Sequence, residues 1–159
     1  MKNARLNGRC ACGNIRYTLT NSPLIVHACY CRDCQRFTGS AFVINLWIET
    51  KFVEVRGVPK SCELKGGSRQ AHEVFFCERC GVYLWSRYQG ARGDFRFVRG
   101  GTLDHPEAVR PDVHIFTRSK LPWLQLPPDA PAFATFYPIN KIWPPASKER
   151  LKLARTENS

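Results

Sequence analysis

Seven of the eight cysteines fall into three tight groups. Cys10-Ala11-Cys12 is a C-x-C, Cys29-Tyr30-Cys31-Arg32-Asp33-Cys34 a C-x-C-x-x-C, and Cys77-Glu78-Arg79-Cys80-Gly81 a C-x-x-C-G, while Cys62 stands alone. In extended chain, residues i and i+2 share a face, so each C-x-C can offer two sulfurs to one ion. A C-x-x-C followed by glycine forms a tight knuckle whose sulfurs converge, and the glycine tolerates the backbone turn. The thiols divide into four plus three. Cys10 and Cys12 with Cys77 and Cys80 make a closed four-cysteine site of structural type, with zinc–sulfur bonds of ~2.3 Å. Cys29, Cys31 and Cys34 remain as a local triad, and three protein ligands with an open position are the pattern of a catalytic zinc. Three thiolates on a divalent ion leave one net negative charge. Such an ion is a weak Lewis acid toward water and is better suited to holding an external thiolate that stays nucleophilic.

The neighbours bear on both readings. Arg32 and Arg36 could offset the triad's negative charge and attract an anionic substrate, and Arg79 and Arg87 could grip carboxylates or stand as solvated surface. Cys62, His27 or His72 could close the triad as a fourth ligand, although a lone cysteine is more often a small buried hydrophobe. Iron–sulfur ligation fits C-x-C spacing poorly, and disulfides are disfavoured in a reducing compartment. His27 and Tyr30 flank the triad and could move a proton or pack. Thr38, Gly39 and Ser40 could donate to sulfur or substrate, or simply turn the chain. Trp123 could cover the pocket or seal the core.

The elements that must position these residues read as β. Ile15–Leu19 and Phe95–Val98 alternate apolar and polar, Ala41–Ile48 is an apolar run fit for a central strand, and 52–55, 72–76, 82–85 and 113–116 are shorter candidates. Turn signals at Gly57-Val58-Pro59, Gly66-Gly67, 90–93 and Gly100-Gly101 separate them. Nine of the 11 prolines lie between Pro106 and Pro145, which excludes long helices there. That stretch is too apolar for a spacer and reads as a Pro-braced wrap over the sheet, while 148–155 could form one short basic helix or fray. Residues 5–125 are expected to form a zinc-binding domain, with 126–159 as wrap and basic tail of the same unit.

A chain of 159 residues can bury a sizeable core without disulfides. With 43% hydrophobic and 12% aromatic residues it is not disordered. No apolar run reaches the ~20 residues of a membrane span, and residues 1–9 carry no secretory signal, so the expected location is cytoplasmic. The net charge of +11 favours anionic partners. The basic residues are scattered and no RRM, KH, helix-turn-helix or C2H2 pattern is present, which argues against nucleic acid.

Three blocks carry a resemblance: Gly8 to Tyr17, Cys29 to Phe42 and Phe76 to Gly81. Together with Gly100 to Asp104 and Ser119 to Trp123, they resemble the glutathione-dependent formaldehyde-activating (GFA) family, which includes centromere protein V. The resemblance implies a mainly β, Mss-four-like fold of stacked antiparallel sheets with a Pro-rich irregular C-terminal segment. It implies two zinc ions, a structural one on Cys10, Cys12, Cys77 and Cys80 and a labile one on Cys29, Cys31 and Cys34. It further implies a carbon–sulfur lyase that joins glutathione and formaldehyde, with the triad as its catalytic residues and a small thiol or thiol adduct as its partner. The alternatives are a non-catalytic, zinc-stabilised binding module for an anionic partner, and a zinc chaperone or store.

Overall fold

The computed structural model describes residues 5–66 and 70–156. Alternating and apolar runs pair into two sheets. The small one holds β1 (Leu6–Arg9), β2 (Arg16–Leu19) and β5 (Val53–Arg56), in that order and antiparallel. The large one holds β3 (Ile25–Cys29), β4 (Val43–Glu49), β6 (Lys60–Lys65), β7 (Ala71–Phe76), β8 (Tyr83–Tyr88), β9 (Phe95–Arg99) and β10 (Val113–Ile115). Its strand order is β10-β3-β4-β9-β8-β7-β6. All its neighbours are antiparallel except β10, which joins β3 in parallel. The helices are α1 (Arg32–Thr38), the single turn α2 (Ile139–Ile142) and α3 (Pro145–Thr156). The fold is mainly β, as the sequence indicates, and the Pro-rich stretch holds no long helix. The turn expected at Gly66-Gly67 falls partly on Gly67, outside the described residues. No helix among the described residues is long and apolar enough to cross a membrane.

The two-residue period of the central strands sorts side chains into two cores. On one face of β4 and β9, Leu46, Ile48 and Val98 meet Ile15, Tyr17 and Leu19 of the small sheet, with Cys10 and Cys77 in the same cluster. On the other face, Val43, Trp47 and Phe95 meet Tyr137, Trp143, Leu151 and Ala154 of the C-terminal segment, with Cys29 and Cys34 in that cluster. Each such buried side chain contributes about 1.5–3 kcal/mol of apolar burial. The wrap is therefore one wall of the second core. It is pinned by polar contacts as well. Arg150 Nε and Nη2 donate to the two carboxylate oxygens of buried Glu49 at 2.9 and 2.6 Å.

Gly8 shows why β1, which lacks an apolar pattern, still docks. A Cβ there would run into the Tyr17 ring and would lie 2.7 Å from the Thr102 carbonyl. Only glycine lets the strand approach so closely. Tyr17 uses the space to hydrogen-bond Thr102 Oγ1 at 2.7 Å.

Candidate metal centres

The first centre is built from two matching knuckles. In each, the cysteine N–H donates to a carbonyl across the turn (Cys10 to Ile15 and Cys77 to Val82, both 3.0 Å) and a glycine N–H returns to the cysteine carbonyl (Gly13 at 3.0 Å, Gly81 at 2.7 Å). Gly81 sits at φ 72, a left-handed conformation that explains the glycine after the C-x-x-C. The knuckles bring Cys10, Cys12, Cys77 and Cys80 together with all four sulfurs within 4.8 Å of one another. The Cys10–Cys12 and Cys12–Cys77 sulfurs are 3.5 and 3.7 Å apart. A tetrahedral ion with ~2.3 Å bonds needs sulfurs about 3.8 Å apart, so the set fits a metal ion. Backbone donors favour the thiolate form. Ile15 N–H reaches Cys10 Sγ at 3.2 Å, and the Val82 and then Cys12 N–H groups draw the Cys80 thiol down to about 6.

The second centre joins the end of β3 to the start of α1. β10 lies beside β3 with Ile115 opposite Cys29, and Tyr30 N–H donates to Ile115 O at 3.0 Å. Cys31 then occupies the N-cap of α1, its sulfur accepting from Cys34 N–H at 3.3 Å. Gln35, buried on α1, donates to the carbonyls of Tyr30 at 2.7 Å and Ser119 at 3.0 Å, which fixes the helix over the strand. Cys29, Cys31 and Cys34 thus lie with their sulfurs within 4.8 Å of one another. Hydrogen bonds from the Cys29 and Cys34 thiols, and then backbone N–H groups, pull Cys31 below the usual thiol range, while Cys29 is pushed up by its side-chain hydrogen bonds to Cys31 and Cys34 and then by burial. An all-thiol donor set of this kind suits a zinc-like ion.

No further His, Cys, Asp or Glu donor joins either group among the described residues. The three candidates for a fourth ligand are engaged elsewhere or remote. His27 Nε2 is hydrogen-bonded to Tyr137 OH at 2.7 Å, and burial holds its imidazole neutral, down to about 3. His72 lines the triad's cavity but stays outside the sulfur group, its ring edge-on to Phe37 and Tyr88 and its Nε2 3.5 Å from Tyr83 OH. Cys62 is exposed on β6, so it is neither a ligand nor the buried hydrophobe expected of a lone cysteine.

The triad opens on a cavity of about 760 Å³ between the large sheet, α1 and the C-terminal wrap. Of the arginines singled out in the sequence, only Arg32 lines it. Arg36 is solvent-exposed, Arg79 reaches Asn14 at 3.5 Å on the surface, and Arg87 pairs with Asp94 at 2.8 Å. Thr38 Oγ1 donates to its own helix carbonyl at Cys34, Ser40 Oγ donates to Phe42 O, and Gly39 caps the helix, so this stretch is a turn. Trp123 is 69% exposed and neither covers the cavity nor seals the core; Phe116, Ser119 and Phe136 line the cavity instead. Tyr30 OH hydrogen-bonds His114 Nδ1 at 2.8 Å in a stacked pair, a packed role.

Two residues that no sequence motif singles out for the site matter most, Tyr137, expected only as an apolar part of the wrap, and Arg99. Tyr137 holds His27 from the C-terminal wrap. Arg99 stands on the cavity wall with only 5% of its surface exposed. A signal for Arg99 lay in its alternation with Phe95 and Phe97, which puts it on their inward face.

The family described as "Glutathione-dependent formaldehyde-activating enzyme" matches residues 5–119. A crystal structure of a Rhodobacter sphaeroides protein is similar at 24% identity and a TM-score of 0.48, over 66% of this chain and 91% of that one. No curated protein matches significantly. The match spans all seven clustered cysteines, and the chain belongs to the glutathione-dependent formaldehyde-activating enzyme family.

Proposed function

We propose that this protein is a zinc-dependent carbon–sulfur lyase acting on thiol adducts, of glutathione type, of small electrophiles such as formaldehyde. The observation that carries the reading is a three-thiol centre, with no fourth donor among the described residues, opening on a cavity of about 760 Å³. Cys29, Cys31 and Cys34 would hold the catalytic ion, and Cys10, Cys12, Cys77 and Cys80 a structural one. Zinc bound at the triad supplies a lowered pKa for an incoming thiol, so that a thiolate is available at neutral pH. The chain's own residues do the rest. Trp47, Phe97, Ile115 and Phe136 give the cavity an apolar wall that excludes water from the reacting atoms. The net change joins the thiol sulfur to the carbonyl carbon while the thiol proton passes to the carbonyl oxygen, and the reverse breaks the same bond. Seven metal-binding thiols also require a reducing compartment such as the cytoplasm. Residues 5–125 and the wrap from 126 onward act as one unit, a reading supported by the core that Tyr137, Trp143 and Leu151 share with Cys29 and Cys34.

The test combines metal content with turnover. Wild-type protein should carry two zinc ions, and Cys31→Ala should retain one and lose formation of the hydroxymethyl thioether from glutathione and formaldehyde, followed by exchange NMR. Unchanged turnover in Cys31→Ala would end this reading.

A further inference from the structure

Arg99 is a buried guanidinium, always charged, in the wall of the triad's cavity. The register of the sheet puts it there. His27 pairs with Asn45 across β3 and β4, and Asn45 pairs with Arg99 across β4 and β9, so the three form one row. Its hydrogen-bond partners are all neutral, and the triad's Cys34 thiol is a group on which its charge acts. Nη1 donates to Asn45 Oδ1, Nη2 to Tyr83 OH and, at 3.5 Å, to Ser86 Oγ, and the guanidinium lies 4.0 Å over the Tyr83 ring. Nε is buried with no acceptor. Trp47 Nε1, two residues along β4 from Asn45 and on the same face, is likewise buried without an acceptor.

The half-buried Arg96 also leaves Nε and Nη1 without acceptors, over the Trp85 ring and away from the cavity, but the other fully buried charge is treated differently. Glu49 receives Arg150 through two hydrogen bonds. Arg99 has no such carboxylate partner among the described residues. A buried charge without a hydrogen-bonded counter-charge is costly, and donors without acceptors on a cavity wall are complementary to an anion that enters from outside. The guanidinium fork matches a carboxylate. Arg32, Arg118 and Arg155 also line the cavity against one acid, Asp33.

We propose that Arg99 is the carboxylate anchor of this cavity, so that the ligand admitted to the triad is a thiol carrying a carboxylate. The inference rests on the triad being a thiol-binding centre, as proposed above. Arg99 sets specificity: it holds the carboxylate end while the sulfur end meets the cysteines.

The probes are glutathione, its dimethyl ester, and S-methylglutathione with its own dimethyl ester, titrated calorimetrically into zinc-loaded protein. Wild type should bind glutathione about tenfold or more tighter than the ester. Arg99→Gln should bring the two to about equal affinity by weakening glutathione alone. Asn45→Asp, nearly isosteric, would give Arg99 an internal carboxylate and should produce the same collapse, and it serves as the test if Arg99→Gln does not fold. Equal weakening of acid and ester in Arg99→Gln would mean that Arg99 only balances the charge of the triad, and would overturn the proposal. So would an ester penalty that persists in both variants. S-methylglutathione separates the two readings. If it binds as tightly as glutathione and keeps an Arg99-dependent ester penalty, the anchor stands and the thiol-binding role of the triad falls.

Discussion

Tyr137→Phe removes one oxygen atom and should cost about as much as truncating a buried leucine. The Tyr137 hydroxyl accepts from Trp143 Nε1 at 2.6 Å and lies 2.7 Å from His27 Nε2. Indole nitrogen only donates, so the hydroxyl accepts there, and the direction of its bond to His27 Nε2 follows the imidazole tautomer. Phenylalanine leaves both nitrogens in place, on residues 2% and 3% exposed, with nothing to bond. Each unsatisfied buried group costs about 1–3 kcal/mol, so the pair costs roughly 2–6, and we expect about 3 kcal/mol. For a chain of this length that is a fall in Tm of about 6–12 °C. Urea unfolding of zinc-loaded protein, followed by tryptophan fluorescence, should show a lower midpoint at unchanged slope. Phe136→Leu is the control. It perturbs the neighbouring ring, stacked at 4.6 Å but 42% exposed, and removes no hydrogen bond. It should cost under about 1 kcal/mol. A loss below about 0.5 kcal/mol in Tyr137→Phe, or equal losses in the two variants, would refute the argument that this chain of hydrogen bonds ties the C-terminal wrap to β3 beside the triad.

Arg150→Met strands Glu49, whose side chain is 4% exposed, and should destabilise by about 3–5 kcal/mol in the same assay, with partial recovery when Glu49→Gln is added. Gly8→Ala forces a methyl against the Tyr17 ring and the Thr102 carbonyl and should lower stability by about 1–3 kcal/mol, read as a fall in Tm. His72 is held neutral in the fold, down from 6.5 to about 4, by burial and then by the charge of Arg99. The unfolded chain therefore takes up this proton first. The contribution is fully present above pH 6.5 and is lost as pH falls toward 4, at no more than about 1.4 kcal/mol per pH unit because a single proton is involved. Its imidazole resonances should titrate near 4 by NMR, and a midpoint at or above 6.5 would contradict the placement.

The parts legible in the sequence are those whose signal is local. Ile15–Leu19 and Phe95–Val98 alternate because each has one face in a core, and both appear as strands with edges moved by a residue. The cysteine groups are legible for the same reason, since a knuckle closes within five residues. What escaped depends on distant partners. β3 is buried at all five positions and so shows no alternation, and β6, an edge strand, is nearly all exposed. The parallel pairing of β10 with β3 leaves no mark on either segment. α1 reads as a metal-ligand run because its N-cap is a cysteine sulfur rather than a usual capping side chain.

The charge follows the same division. A net +11 says that anions are favoured but not where. Arg36, Arg79 and Arg87 adjoin cysteine or strand motifs in sequence, yet all three stand in solvent, where salt screens them within about 8–10 Å. Arg99 adjoins no motif and is selected by register alone, one cross-strand step from Asn45 and two from His27. Its field acts from a buried position in the cavity wall, where a charge is screened less than at the surface. Recognition by Arg99 should therefore weaken little with added salt, whereas attraction by the exposed arginines should fade. One buried arginine can then outweigh the scattered excess in deciding which anion the cavity keeps.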